Sequence, residues 1–147
     1  MELNVQLQVS AKEVFEQLLN SIVQDIKNST GQTIAKDKLS KDFSYEKSLR
    51  NHMGYEVTVK VQINELIQPV KYSATIENPK GFNTIEYSLK DTIKGVEITY
   101  KENYKAKSTL QNWNYILVSL IYSRRSKKKM HKQFAYLEQE ILKGKSQ

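Results

Sequence analysis

The sequence predicts an α+β fold: an antiparallel sheet of about six strands, wet on one face and covered on the other by an N-terminal helix and a long C-terminal helix. Three observations predict it. Period-two apolar alternation recurs in separate segments at the N-terminus and through the middle of the chain. Helical apolar stripes are confined to one segment near the start and one at the end. The connections between the central strand segments are short enough for hairpins, which makes neighbouring strands antiparallel.

The elements follow in order. Leu3, Val5, Leu7 and Val9 alternate with Asn4, Gln6 and Gln8, the pattern of a half-buried strand. Ser10-Ala11-Lys12-Glu13 is a capping box, in which each side chain satisfies a backbone N–H that a first helical turn leaves free. Val14, Phe15, Leu18, Leu19, Ile22, Val23 and Ile26 then form one helical stripe, and Gly31 suits a left-handed cap. Residues 32–42 are polar and read as a loop or a short second helix. Strands return with Phe43, Tyr45 and Leu49, then Tyr55 to Ile63, Val70 to Ile76, Ile85 to Leu89, and Val96 to Tyr100. The opposite parity is polar, as in Glu56, Thr58, Lys60 and Gln62 or Lys71, Ser73 and Thr75, so one sheet face meets water. Ser108-Thr109-Leu110-Gln111 is a second capping box. The stripe after it threads through 116, 120, 123, 127, 130, 134, 137 and 141, with Ser123 and Lys127 as weak points. A helix of that span is about 50 Å long, so it either bends near Ser123–Ser126 or overhangs the sheet.

Composition narrows the functional classes. The 147 residues fit a single domain, 1–147, with one core. The absence of cysteine excludes a disulfide framework, a thiolate nucleophile and a cysteine-based zinc site. The longest strongly apolar run, Tyr115 to Tyr122, falls well short of the roughly 20 residues of a membrane-spanning helix. No secretory signal pattern opens the chain, and a cytoplasmic location is expected. The net charge of +7 is uneven: residues 1–123 hold 15 Lys/Arg against 14 Asp/Glu, whereas Arg124, Arg125, Lys127, Lys128, Lys129 and Lys132 contribute six charges with no acid between them.

The order of elements resembles the helix-grip fold of the START-like or Bet v 1-like (SRPBCC) superfamily, in which a curved sheet wraps a long last helix. More narrowly, Leu3-Asn4-Val5 with Ser10 to Phe15, Phe43-Ser44-Tyr45, Tyr100-Lys101-Glu102 and the final basic stretch before Leu137-Glu138 resemble a family of short, uncharacterised Gram-positive bacterial proteins of that fold. The resemblance implies a curved sheet with both helices on its concave face, and a cavity between sheet and last helix. Superfamily members often bind lipids, hormones or polyketides there, and a minority are enzymes.

Tyr45, Tyr55, Tyr72, Tyr87 and Tyr100 share the inward parity, and Trp113 and Leu117 should face them from the last helix. Such a set either fills the core or makes a mostly apolar pocket with a few convergent hydroxyls. Parity also turns Lys47 and Glu102 inward, where a charge is costly unless paired. They meet each other or a ligand near the cavity mouth, or they sit at strand ends, or a bulge reverses the parity. His52 and His131 are far apart in sequence and have no acid motif beside them, so no metal site or nucleophile–histidine pair is expected, and no cofactor. Stretch 124–132 is either a solvated helix face or a contact for nucleic acid, lipid head groups or an acidic protein. The reading favoured by the sequence is a non-enzymatic binder of an apolar or amphipathic small molecule. Val57, Val59, Val61, Ile76 and Ile98 would form its wall, Tyr72, Tyr87 and Tyr100 its hydroxyl donors, and Trp113 and Leu117 its lid. An interaction module using the basic stretch is the alternative. An enzyme using Lys47, Glu102 and the tyrosines is a third reading.

Overall fold

The computed structural model describes residues 1–50, 54–107 and 109–145, with side chains described for 1–49, 54–107 and 127–145. The chain runs β1 (Glu2–Leu7), α1 (Ala11–Thr30), a 3-10 turn at Lys36–Lys38, β2 (Ser44–Arg50), β3 (Glu56–Ile67), β4 (Lys71–Asn78), β5 (Gly81–Thr92), β6 (Gly95–Ala106) and α2 (Thr109–Lys145). All six strands form one antiparallel sheet in the order β1-β6-β5-β4-β3-β2. The polar segment 32–42 is thus a loop holding one short 3-10 turn.

Sequence dictates where α1 begins and ends. The Ser10 hydroxyl accepts from the Glu13 N–H at 3.1 Å, and the Glu13 carboxylate accepts from the Ser10 N–H at 3.1 Å. The Asp91 carboxylate, from β5, takes the Ala11 N–H at 2.8 Å, so a third otherwise free donor of the first turn is satisfied. Gly31 closes the helix at φ 77°, a left-handed geometry that a side chain disfavours. The stripe residues Phe15, Leu19 and Ile26 are almost wholly buried. Gly95 answers a different need: at φ 132°, any Cβ there would lie 2.0 Å from the Leu7 carbonyl oxygen, so only glycine lets β6 start beside β1.

The strand ladders outrun the apolar alternation that announces them. β5 and β6 are 12 residues each, and their pairing continues through Asn83↔Tyr104 and Thr84↔Asn103, where side-chain patterning has faded but backbone bonding has not. A bulge between Ile63 and Glu65 leaves Asn64 outside the β3–β4 register. Before it Val61 pairs with Ile76; after it Leu66 pairs with Tyr72, so inward parity on β3 changes from odd to even. The Asn64 side chain donates to the Thr75 hydroxyl at 2.7 Å. The outer face is not uniformly wet: Ser73 is 5% exposed, although its parity reads as polar.

The core lies between the concave sheet face and the helices, with Ile63, Ala74, Val96 and Ile98 from the sheet against Phe15, Leu19 and Ile26 of α1. α2 is one helix across Ser123–Ser126. Along its described side chains the stripe is Met130, Phe134, Leu137 and Ile141, with Phe134 and Ile141 buried. Lys127, which the stripe would have to pass through, is exposed. The Glu138 carboxylate accepts from the Gln8 N–H at 2.6 Å, and Lys145 meets Glu13 at 2.9 Å. These contacts fasten the later part of α2 to the β1–α1 connection and to the start of α1. Ser108 and His52 lie outside the described residues, so the second capping box and the histidine turn have no structural account here.

Candidate functional site

A cavity of about 460 Å³ lies between α1, α2 and the sheet. Val14 and Leu18 of α1, Leu89 of β5, and Met130, Phe134 and Leu137 of α2 make it mostly apolar, with Tyr87 on the sheet side. Gln17, Ser21, Gln133 and Glu140 add a few polar groups. That volume and composition match small-molecule sites, which are concave, largely apolar and of roughly 300–1,000 Å³.

The sheet brings together three of the expected tyrosines. Register sets Tyr72 opposite Tyr87, and Tyr87 opposite Tyr100. Their rings are 6.1 Å and 4.9 Å apart, and the Phe134 ring meets Tyr87 edge-on at 6.3 Å. Burial pushes the Tyr87 hydroxyl up to about 12, with the negative charge of Glu102 adding to it. Tyr72 is raised mainly by burial, then by Tyr87 and Asp25. Neither the Tyr72 nor the Tyr87 hydroxyl has a hydrogen-bond partner among the described residues.

Tyr100 differs. Its hydroxyl donates to the Glu102 carboxylate at 2.8 Å, so it is not the ligand-facing donor that parity suggested. Burial, the charge of Glu102 and that hydrogen bond raise its pKa together. The other oxygen of Glu102 accepts from the Asn83 amide at 2.9 Å. Asn83 carries a buried carbonyl oxygen with no partner among the described residues.

On β2, the Tyr45 hydroxyl and the Lys47 ammonium both donate to Asp25 of α1, Lys47 at 3.1 Å. Tyr45 is raised by burial first and by Asp25 second. Lys47 and Glu102 both face inward, then, and each has its own partner rather than the other. The bulge that could have reversed their parity falls elsewhere, on β3. Among the described residues no group of side chains is arranged to hold a metal ion.

Tyr55 requires correction. It precedes β3 at the turn end of the β2–β3 hairpin and is 67% exposed, so it faces solvent rather than the concave space. Leu49 at the same end is 42% exposed, so both side chains there meet solvent. The expected wall also shifts: Val59, Val61 and Ile98 are packed core, while the wall of the cavity comes from α1, the later half of α2, and Tyr87 and Leu89 of β5. The signal for the helical residues was present in the two helical stripes, whose apolar sides face the same sheet. Trp113 and Leu117 lie outside the described side chains, as do Arg124 and Arg125. Lys127, Lys128, Lys129 and Lys132 are exposed.

An antiparallel six-stranded sheet with an N-terminal helix and a long C-terminal helix over its concave face is the helix-grip architecture, and the cavity occupies the space between helices and sheet. Residues 1–123 match a family described as a domain of unknown function, DUF3284, and the chain belongs to that family. The basic stretch 124–132 lies beyond the matched residues. No curated protein matches the chain in sequence. Among solved structures, a Staphylococcus aureus protein of unknown function, SA2116, is similar at 14% identity and a TM-score of 0.68, covering 100% of this chain and 95% of its own. Ara h 8.0201, a Bet v 1-like structure, is similar at 13% identity and 0.62, covering 97% of both chains. A conserved Geobacillus kaustophilus protein is similar at 15% identity and 0.59, covering 97% and 94%. At these identities the likeness is one of fold. No described helix is long and apolar enough to cross a membrane.

Proposed function

We propose that the protein binds an apolar or amphipathic small molecule in the space between α1, α2 and the concave face of the sheet, as a START-like (SRPBCC) binding protein without catalysis. The observation that carries this reading is the cavity of about 460 Å³ with mostly apolar walls. It is supported by the hydroxyls of Tyr72 and Tyr87, which have no hydrogen-bond partner among the described residues. An apolar chain gains roughly 0.8 kcal/mol for each buried CH₂, and the hydroxyls would orient a polar group. The test is native mass spectrometry of protein purified gently from its own host, followed by titration of the stripped protein with single-chain amphiphiles. A co-purified small molecule, or saturable binding lost in Ser21→Trp while the melting temperature holds, is expected. Ser21 is exposed and lines the cavity, so an indole there fills the space at little cost to the core. No co-purified molecule together with no saturable binding overturns the reading.

A second reading rests on Lys127, Lys128, Lys129 and Lys132, which are exposed and meet no carboxylate among the described residues. They would contact an anionic partner such as nucleic acid, lipid head groups or an acidic protein. Binding that weakens steeply with salt, and that Gln at 127–129 abolishes, is the expected result. A flat salt dependence removes this reading.

A further inference from the structure

The chemistry of the concave face beyond Tyr87 points to one kind of ligand. Asn83, Tyr87, Tyr100 and Glu102 share that face by register, with Glu102 opposite Ile85 and Tyr100 opposite Tyr87. The Tyr100 and Asn83 donors are both directed at Glu102, one to each carboxylate oxygen. Around the carboxylate the cluster leaves several acceptors open: the second lone pairs of Glu102, the Tyr100 oxygen, and the buried Asn83 carbonyl oxygen that has no partner among the described residues. A buried acceptor left unmet costs about 1–3 kcal/mol.

The cluster is also short of positive charge. Glu102 forms no ion pair among the described residues, and the Met1 ammonium donates to its main-chain carbonyl at 2.7 Å. Tyr87 joins this cluster to the cavity, since its ring packs at a tilt against Tyr100, 4.9 Å between centroids, and itself lines the cavity wall. The apolar cavity and an anionic, acceptor-rich cluster thus lie on two sides of the Tyr87 ring.

We infer that the ligand is an amphiphile with a donor-rich cationic head, such as a primary alkylamine, whose ammonium is received by Glu102, the Asn83 carbonyl oxygen and the Tyr100 oxygen while its tail occupies the Phe134–Leu89 cavity. A primary ammonium carries three donors and a positive charge, matching three open acceptors beside a carboxylate that has no ion pair among the described residues. A carboxylate head would meet like charge and leave the Asn83 oxygen unmet. This assignment rests on the proposed cavity binding and adds the identity of the head group.

The test compares dodecylamine with dodecanoate at neutral pH by isothermal titration calorimetry. The amine is expected to bind the wild-type protein more tightly by about tenfold or more, the scale of one charged hydrogen bond. Glu102→Gln keeps an acceptor for Tyr100 and removes the charge, so the preference should collapse and dodecanoate binding should tighten. That gain also reports that the variant is folded. In the wild-type protein, the Asn83 side-chain amide resonances should shift with dodecylamine, a readout that needs no variant. Dodecanoate binding as well as the amine, a preference that Glu102→Gln leaves intact, or Asn83 resonances that do not move overturns the head-group assignment alone. Binding of neither probe by the wild type overturns the cavity reading with it.

Discussion

Asp25 shows how a single residue organises one edge of the concave face. Its carboxylate receives Tyr45 and Lys47 of β2, which ties the middle of α1 to the edge of the sheet. Asp25→Asn should lower stability by about 1–3 kcal/mol, because two donors lose a charged acceptor; urea denaturation measures it. The inward direction of Lys47 and Glu102 was legible from strand parity alone. Their partners were not, because Asp25 and Asn83 are brought into place by helix–sheet packing and by strand register, which alternation does not specify. Tyr55 misled for the opposite reason: its parity is correct, but the strand it would extend starts one residue later. The tyrosines carry a prediction about alkaline pH. Tyr87 is pushed from 10.0 to about 12 by burial, so the folded state holds a proton that the unfolded chain releases earlier. Its contribution to stability is full below pH 10.0 and is lost as pH rises through about 12. Melting temperature should fall over that window, and Tyr87→Phe should flatten the fall.

At the scale of elements, α1 is fixed at its start by two partners. Ser10→Ala should destabilise the protein by about 1 kcal/mol through loss of the cap. Glu13 also meets Lys145 from the last turn of α2, and that ion pair, ahead of its other contacts, holds its carboxyl below the ordinary 4.5. A lowered value in the folded state means stabilisation that is present above pH 4.5 and lost as pH falls through the folded value. The difference in melting temperature between wild type and Lys145→Ala should therefore be visible at neutral pH and vanish in acid. In α2, Phe134 is 4% exposed between the sheet and the cavity. Phe134→Ala should cost about 3–5 kcal/mol in denaturant unfolding. α1 was legible from its caps and stripe, and α2 from its stripe, including the buried set Phe134 and Ile141. The bulge at Asn64 was not locatable, since polar Asn64 and Glu65 read equally well as a strand end.

For the whole molecule, element order in the sequence specified the architecture, because short connections leave hairpins as the only geometry for β2 to β6. The pairing of β1 was the exception: nothing local tells the first strand which edge to join. It joins β6, with Leu3 opposite Tyr100 and Leu7 opposite Val96, while β2 forms the far edge and α1 spans the interval between them. This pairing has a consequence for how the chain acquires its structure. β2 to β6 can zip together through neighbouring hairpins, each closing a short loop. The β1–β6 ladder joins residues almost a hundred positions apart, and its loop must be closed before any of its hydrogen bonds form. On a ribosome, β1 emerges before its partner and waits unpaired until β2 to β6 have followed. The first of the six strands to be made is thus among the last to find its place.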